Sequence, residues 1–251
     1  MHELARLLGQ NERNISVRDL ASLEEALKEL PIVLHESFIT PLFRRLEARF
    51  GALTESLYEY WQKSCNAGSE QRRCYLVEGK WIVVYCQSEL VREGETGLTV
   101  WPAAVALIDH LDLLKEEHSR IVELGCGVGL VGKVLSEVLG LKNILLTDNQ
   151  NVLNITRLNY SGALCPFDWT LEHNFIKEDD FILGTDLLYD LEVIDALADI
   201  FNRSSGALLV QQIRNPETWQ TFLERISVPY EIRTFKETPF YPQMQVILKR
   251  K

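Results

Sequence analysis

The chain has 251 residues, of which 46% are apolar, 25% charged and 9% aromatic. This composition is typical of a globular protein and excludes a collagen-like, low-complexity or mostly disordered chain. The formal net charge of −10 at pH 7 argues against a large phosphate-binding surface, so nucleic-acid binding is not expected. The length suits one large domain, or a core domain with an appendage.

The cysteine pattern and the length of the apolar runs indicate where in the cell the protein is expected. Five cysteines occur without a Cys-x-x-Cys pair, which argues against a zinc site and against a secreted disulfide scaffold. We therefore expect reduced thiols and no bound metal. No apolar run reaches the roughly 18 residues that a membrane helix needs, and the first residues do not read as a signal peptide. A cytoplasmic protein is the resulting expectation.

Residues 1–67 are predicted to be mostly helical. Leucines recur at helical spacing between residues 20 and 30, and Thr54 is a candidate N-cap for the segment that follows it. Residues 68–95 are predicted to contain a polar linker, reaching Arg73, and a β-hairpin around Glu78-Gly79-Lys80. We expect the helical region either to recognise a substrate or to cover one face of the core.

From residue 96 to residue 251, helix and strand patterns alternate, which is typical of a parallel sheet with helices on both faces. Strands are predicted at 142–148, 206–214, 230–235 and 244–250. A buried strand that ends in a glycine turn is predicted at 120–127, and a strand that runs into a loop at 181–189. Helices are predicted at 101–114, 128–140, 151–162, 192–201 and 216–226. The last two strands lack an intervening helix, so they are expected to form an antiparallel edge. A brief third strand is expected around Phe167 to Trp169.

A glycine-rich sequence, Glu123-Leu124-Gly125-Cys126-Gly127-Val128-Gly129, lies where a predicted strand runs into a helix. Glycine lets the backbone approach a nucleotide-like ligand at this position. Gly127, Gly129 and Gly132 also satisfy the dinucleotide pattern Gly-x-Gly-x-x-Gly. The acid at Glu123 favours a cationic ligand over a pyrophosphate, which points to the amino group of S-adenosylmethionine. A nicotinamide or flavin cofactor and a simple strand-to-helix turn are the alternatives.

Two further positions suit the same ligand. Asp148 ends the next predicted strand, where a carboxylate can accept hydrogen bonds from both hydroxyls of a ribose. Its alternative role is the N-cap of the following helix. Asp168 and Trp169 follow that helix, where an indole can stack on adenine beside a hydrogen-bonding carboxylate. The alternative for Trp169 is a core tryptophan.

The sequence Asp186-Leu187-Leu188-Tyr189 emerges from a predicted buried strand. Open α/β sheets bind ligands at the carboxyl ends of such strands. The Asn/Asp-Pro-Pro-aromatic run of enzymes that methylate the adenine amino group is absent here, and Cys165-Pro166 lacks the order of a cytosine methylase nucleophile. Asp186 and Tyr189 are therefore the candidate catalytic residues, against the alternatives of a helix cap and a packed tyrosine.

Several segments together resemble the seven-strand lysine methyltransferases of methyltransferase family 16. They are TGLTVWPAA at 96–104, the ELGCGVGL loop, Asp168-Trp169, the DLLY sequence at 186–189 and RNPET at 214–218. The glycine loop is common to class I methyltransferases, whereas the first segment, DLLY and RNPET narrow the resemblance to this family. The resemblance covers residues 54 to 251.

The resemblance implies a Rossmann-like, seven-stranded α/β sheet with an antiparallel C-terminal edge, which binds S-adenosylmethionine and releases S-adenosylhomocysteine. Asp186 and Tyr189 are implied to face the target lysine of a protein substrate, with elongation factor 2 as the expected substrate. Thr185 stands where the family usually has alanine. The donor pocket is implied to contain Trp101, Glu123, Gly125, Cys126, Gly127, Asp148, Asp168, Trp169 and Thr185.

Charge is unevenly distributed over the second half of the chain. Residues 151–200 contain ten acidic and two basic residues, and they flank the expected substrate entrance. An acidic rim would steer a basic protein surface toward the site, although a solvated acidic face is the alternative. A methyltransferase for a small molecule or another amino acid, and a catalytically silent donor-binding module, also stay open. We expect a monomer with no membrane partner.

Overall fold

The computed structural model describes much of the chain at the level of individual residues. No helix within these described stretches has the length and apolar character needed to cross a membrane. The chain divides into two compact units, residues 1–88 and 89–251. The described residues are 23–25, 27, 43, 44, 46, 47, 53–59, 70–87, 96–114, 118–169, 175–238 and 240–249.

The first unit contains helical residues and a two-stranded sheet. Of the predicted leucine stripe, Leu23 and Leu27 are helical and buried, and its other members lie outside the described residues. Thr54 precedes helical residues 55–59, and its Oγ1 accepts a hydrogen bond from the Leu57 backbone N–H at 3.4 Å. This contact confirms Thr54 as the predicted cap, because it satisfies one of the N–H groups that a helix start leaves open.

The predicted hairpin is present, but its first strand is longer than expected. Strand β1 (Glu70–Val77) pairs antiparallel with β2 (Lys80–Gln87), and the turn residues Glu78 and Gly79 both have positive φ, 47° and 78°. Two such residues are typical of a type I′ turn. The prediction of a linker reaching Arg73 is wrong, because the polar start of β1 pairs with β2 and the Arg72 guanidinium lies 4.9 Å from the Tyr85 ring.

The second unit is built on a seven-stranded sheet with the order β5-β4-β3-β6-β7-β9-β8. Strands β3 to β7 are parallel, and β9 is antiparallel to both β7 and β8. The predicted sheet with an antiparallel C-terminal edge is therefore confirmed. The bounds are β3 (Ile121–Leu124), β4 (Ile144–Asp148), β5 (Ala163–Pro166), β6 (Phe181–Thr185), β7 (Gly206–Gln211), β8 (Glu231–Phe235) and β9 (Met244–Lys249).

Five helices of this unit accompany the sheet, in the predicted order. They are α1 (Pro102–Ile108), α2 (Leu130–Glu137), α3 (Gln150–Asn159), α4 (Ile194–Arg203) and α5 (Pro216–Arg225). Proline occupies the first turn of α1 and of α5, where its missing N–H costs no helical hydrogen bond. The predicted helix at 101–114 is divided, because the His110 N–H bonds the Leu107 carbonyl at 2.9 Å and a 3-10 turn follows at Leu111–Leu114.

The third strand of the sheet lies earlier than predicted. Strand β5 pairs with β4 up to the pair Asp148 and Pro166, whereas Phe167 only donates its N–H to the Asp148 carbonyl at 2.8 Å. The prediction of a strand around Phe167 to Trp169 is therefore wrong. The Phe167 ring is buried in the core, whereas the edge strand itself, Ala163 to Pro166, is short and partly exposed.

One hydrophobic cluster of this unit lies between the sheet and the helices α4 and α5. Phe201 of α4 and Phe222 of α5 are fully buried and meet edge-to-face, with ring centroids 5.9 Å apart. They pack against apolar strand residues, among them Val122, Ile182 and Leu209. This packing fixes the strands, and with them the loops at their carboxyl ends.

Candidate functional site

The candidate residues lie at the carboxyl edge of the parallel strands. Strand β3 has β4 on one side and β6 on the other, so the connections after β3 leave the sheet at a point where strand order reverses. Ligands of open α/β sheets bind in the crevice at such a point. The loops that follow β3, β4, β6 and β7 carry most of the residues singled out from the sequence.

The loop after β3 is formed by glycines that no other residue replaces without strain. Gly125, Gly127 and Gly129 have φ values of 59°, 54° and 81°, in the left-handed region. A Cβ on Gly127 would lie 3.2 Å from the Gly97 carbonyl oxygen, and one on Gly125 would lie 2.6 Å from Cδ2 of Leu187. The loop is therefore packed between the segment before α1 and the loop after β6.

Helix α3 holds the carbonyl groups of this loop. The Thr156 hydroxyl donates to the Gly127 carbonyl at 2.7 Å, and the Asn159 amide donates to the Val128 carbonyl at 2.7 Å. Cys126 is buried near the Thr156 hydroxyl, and burial raises the pKa of its thiol well above the usual value. Cys126 is therefore a neutral thiol that packs within the loop.

Glu123 is buried beneath the start of α2. Its carboxyl group is hydrogen-bonded to the Gly132 backbone, and its Oε2 has no hydrogen-bond partner within the described part of the chain. Burial raises the pKa of Glu123 to about 8, against the smaller opposite effect of Gly132. Such an unpartnered buried oxygen costs free energy unless a donor reaches it. The observation fits the cationic ligand that the sequence predicts at this position.

Asp148 faces the glycine loop from the end of β4. Its Oδ2 accepts from the Gly127 N–H and its Oδ1 from the Asn149 N–H, both at 2.8 Å. Asn149, not Asp148, caps α3, because its side chain accepts from the N–H groups of Asn151 and Val152. The alternative role of Asp148 as a helix cap is thereby wrong, and its half-buried carboxylate borders the crevice.

Trp169 is anchored by apolar packing. Its ring meets Phe167 edge-on with centroids 4.5 Å apart, and it is only partly buried against the core. The neighbouring Asp168 is exposed. The alternative of a core tryptophan therefore holds for the buried part of the indole. Stacking of its exposed part on an adenine stays a prediction.

Asp186 is the most constrained of the candidate residues. Its positive φ of 57° ends β6 at Thr185, so Asp186 is the first residue after the buried strand, as predicted. Its carboxylate accepts hydrogen bonds from four groups within 3.4 Å, so both oxygens are engaged. The donors are the backbone N–H groups of Ala103 and Gln212, the Gln211 amide and the Arg214 guanidinium. Asp190, not Asp186, caps the helical turn that follows, whereas Asp186 accepts from an N–H group in the first turn of α1.

Arg214 joins the two sides of the site. Its Nη2 lies 3.0 Å from Oδ2 of Asp186, and its guanidinium carbon lies 4.8 Å from the centroid of the Trp101 ring. The Trp101 indole N–H donates to the Thr96 carbonyl at 2.8 Å. Sequence reasoning used the RNPET segment for the family resemblance but assigned Arg214 no role. Its spacing of 28 residues from Asp186 gave no local signal of the contact.

Tyr189 lies at the outer end of the loop after β6. Its side chain is 52% exposed, so the alternative of a packed tyrosine is wrong. The backbone before it is fixed, because the Leu188 N–H donates to the Gln211 amide oxygen at 2.9 Å and the Thr218 hydroxyl donates to the Leu188 carbonyl at 3.0 Å. Thr185 is half-buried at the end of β6.

Comparison with known proteins agrees with this geometry. At the level of fold, the chain is similar to the tRNA (uracil-54, C5)-methyltransferase of Pyrococcus abyssi in complex with S-adenosyl-L-homocysteine. The TM-score is 0.52 and the identity 17%, over 72% of this chain and 44% of that chain. The similarity concerns the class I methyltransferase sheet.

Relatives by sequence include two protein-lysine N-methyltransferases. The chain is 26% identical to EFM3 of Chaetomium thermophilum, over 70% of this chain and 66% of the relative. It is 25% identical to EEF2KMT of Bos taurus, over 78% of this chain and 72% of the relative. The chain thus spans slightly less than two thirds of the fungal relative. Residues 87–228 match the sequence family described as lysine methyltransferase, and the chain belongs to this family.

Proposed function

We propose that the protein is an S-adenosylmethionine-dependent protein-lysine N-methyltransferase that modifies elongation factor 2. The observation that carries the proposal is the buried, unpartnered Glu123 oxygen beside left-handed glycines at the reversal of strand order. The family and the lysine methyltransferases among the relatives support the chemistry. The name of the bovine relative EEF2KMT supports the choice of substrate.

The donor site in this proposal uses residues from four loops. Glu123 holds the amino group of the donor, Asp148 accepts the ribose hydroxyls, and Trp169 with Asp168 takes the adenine. Asp148 then exchanges part of its present bonding to the Gly127 and Asn149 N–H groups for the ribose. When bound, S-adenosylmethionine supplies an electrophilic methyl group on a sulfonium. The remaining pocket residues are Trp101, Gly125, Cys126, Gly127 and Thr185.

The target lysine must lose its proton before it can accept a methyl group. With a pKa of about 10.4, only roughly one free lysine in 2,500 is neutral at pH 7, which costs about 4.6 kcal/mol. A nearby carboxylate would increase this cost, because it stabilises the ammonium form. Arg214 compensates the charge of Asp186, so the site can retain this carboxylate without strongly favouring the protonated amine.

We therefore assign Asp186 to the alignment of the loop and of its own oxygens toward the lysine, and Tyr189 to a hydrogen bond that directs the amine. The proton passes to water. Residues 96–251 form the catalytic core in this proposal, residues 68–95 a region that contains the hairpin, and residues 1–67 a region that contributes to substrate recognition. A cytoplasmic, monomeric enzyme completes the proposal.

Mass spectrometry of purified elongation factor 2, after incubation with the protein and the methyl donor, tests this function. We expect one lysine of elongation factor 2 to gain one or more methyl groups, with no gain when the donor is omitted. A label that enters only small molecules, or a residue other than lysine, would support the other methyltransferase activities. Donor binding without any transfer, in a whole-cell extract as well, would support a silent binding module.

A further inference from the structure

Two loops beside the candidate site expose large apolar side chains. Tyr189 is 52% exposed, Leu191 45% and Ile213 38%. We call these three residues the apolar rim. Tyr189 and Leu191 follow β6, and Ile213 follows β7, its parallel neighbour in the sheet. The rim therefore lies at the carboxyl edge of the sheet, next to Asp186.

Hydrogen bonds join the two loops into a single surface. The Gln212 N–H donates to Oδ1 of Asp186 at 3.0 Å, and the Leu188 N–H donates to the Gln211 amide oxygen at 2.9 Å. The Thr218 hydroxyl adds a bond to the Leu188 carbonyl. Because the backbone of these loops is already ordered, binding of a partner costs little further entropy in the loops.

The loop after β6 also contains apolar residues that are buried. Leu187 and Leu188 are 4% and 3% exposed and belong to the core, whereas Leu191 stays in solvent. Single exposed apolar residues are common on protein surfaces, but a group of them beside a ligand crevice is typical of an interaction site. The apolar rim has this arrangement.

The surroundings of the rim are acidic. Asp190, Glu192 and Glu217 are exposed, and Asp190 caps the turn that carries Leu191. The two basic residues between positions 186 and 217 are each paired with an acid, Arg203 with Asp199 at 2.6 Å and Arg214 with Asp186 at 3.0 Å. The charge around the rim therefore complements a basic partner.

We propose that the apolar rim is the docking surface for the substrate segment that carries the target lysine. The segment that fits it is basic overall and has an apolar side chain close to the lysine. This inference rests on the proposed function and adds what the enzyme recognises around its target. The rim anchors the apolar neighbour, the acids attract the basic segment, and the lysine side chain enters the crevice beside Asp186.

The test uses the full chain with Leu191→Ser, Ile213→Ser and the double substitution, and elongation factor 2 as substrate. Loss of the apolar contact area at each position should raise KM about 3- to 10-fold, and the double variant about 10- to 30-fold. We expect kcat and the Kd for S-adenosylhomocysteine to stay within twofold. The matched control is Leu158→Ser, because Leu158 is 63% exposed on α3, outside these loops, and should leave KM unchanged.

Several outcomes would overturn the inference. An active double variant with the same KM as Leu158→Ser would show that the rim does not bind the substrate, while the proposed function would stand. A parent protein that sediments as a dimer, with a monomeric double variant of unchanged KM, would make the rim a self-association surface. If the parent protein transfers no methyl group to elongation factor 2, the proposed function fails and the inference fails with it.

Discussion

Replacement of Glu123 by glutamine should stabilise the protein at neutral and alkaline pH. The pKa of this carboxyl group is raised from 4.5 to about 8, mainly by burial. The folded state therefore keeps a proton that the unfolded chain releases above pH 4.5. The stabilising contribution of the protonated group is complete below pH 4.5 and is lost as the pH rises through about 8.

The size of the effect follows from the shift in pKa. The rise of the pKa from 4.5 to about 8 corresponds to a total loss of about 5 kcal/mol, most of it between pH 5 and pH 9. Glutamine has nearly the same shape and does not titrate. Between pH 5 and pH 9, the parent protein should therefore lose about 4 kcal/mol more unfolding free energy than Glu123→Gln.

Urea unfolding at pH 5, 7 and 9 measures this difference. The same carboxyl group should ionise when the amino group of S-adenosylhomocysteine binds, so calorimetry in two buffers of different ionisation heat should detect proton release below pH 8 for the parent protein. The variant should release no such proton and should bind the ligand more weakly. Parallel stability profiles for the two proteins, with equal proton release, would refute this account of Glu123.

Three other substitutions test separate parts of the structure. Arg214→Lys loses the planar contact with Trp101, so kcat/KM for the protein substrate should fall about tenfold, and an unchanged value would remove Arg214 from the site. Gly127→Ala places a Cβ 3.2 Å from the Gly97 carbonyl at a φ of 54°, and calorimetry should show at least tenfold weaker binding of S-adenosylhomocysteine. Lys249→Met removes an ammonium group that donates to three backbone carbonyls, so the unfolding free energy should fall by about 1–3 kcal/mol in urea titrations. Equal stability of parent and variant would contradict that role.

The sequence predicted the elements that carry strong local signals. Buried parallel strands such as β6 and β7 are nearly continuous apolar runs, and the glycines after β3 mark a backbone that must adopt positive φ. These signals are local, so the order of elements and the position of the glycine loop followed from them. The edge strands β1 and β5 were misplaced, since polar or partly exposed residues pair through the backbone alone.

The environment of Asp186 could not be predicted in the same way. Its partners Ala103 and Arg214 are 83 and 28 residues away in sequence, and only the assembled sheet brings them together. The sequence identified Asp186 correctly as the residue after a buried strand, but not that its carboxylate is already engaged. Nor did it indicate that Asn149, one residue after Asp148, caps α3.

Arg214 links Trp101 on one side of the candidate site to Asp186 on the other. One guanidinium touches an indole on one side and a carboxylate on the other, so a shift of either neighbour changes the contact with the second. We therefore expect two ligands that contact these neighbours to be energetically coupled, so that each would alter the affinity for the other by the same factor. A single side chain would thus couple the Trp101 side of the site to the Asp186 side.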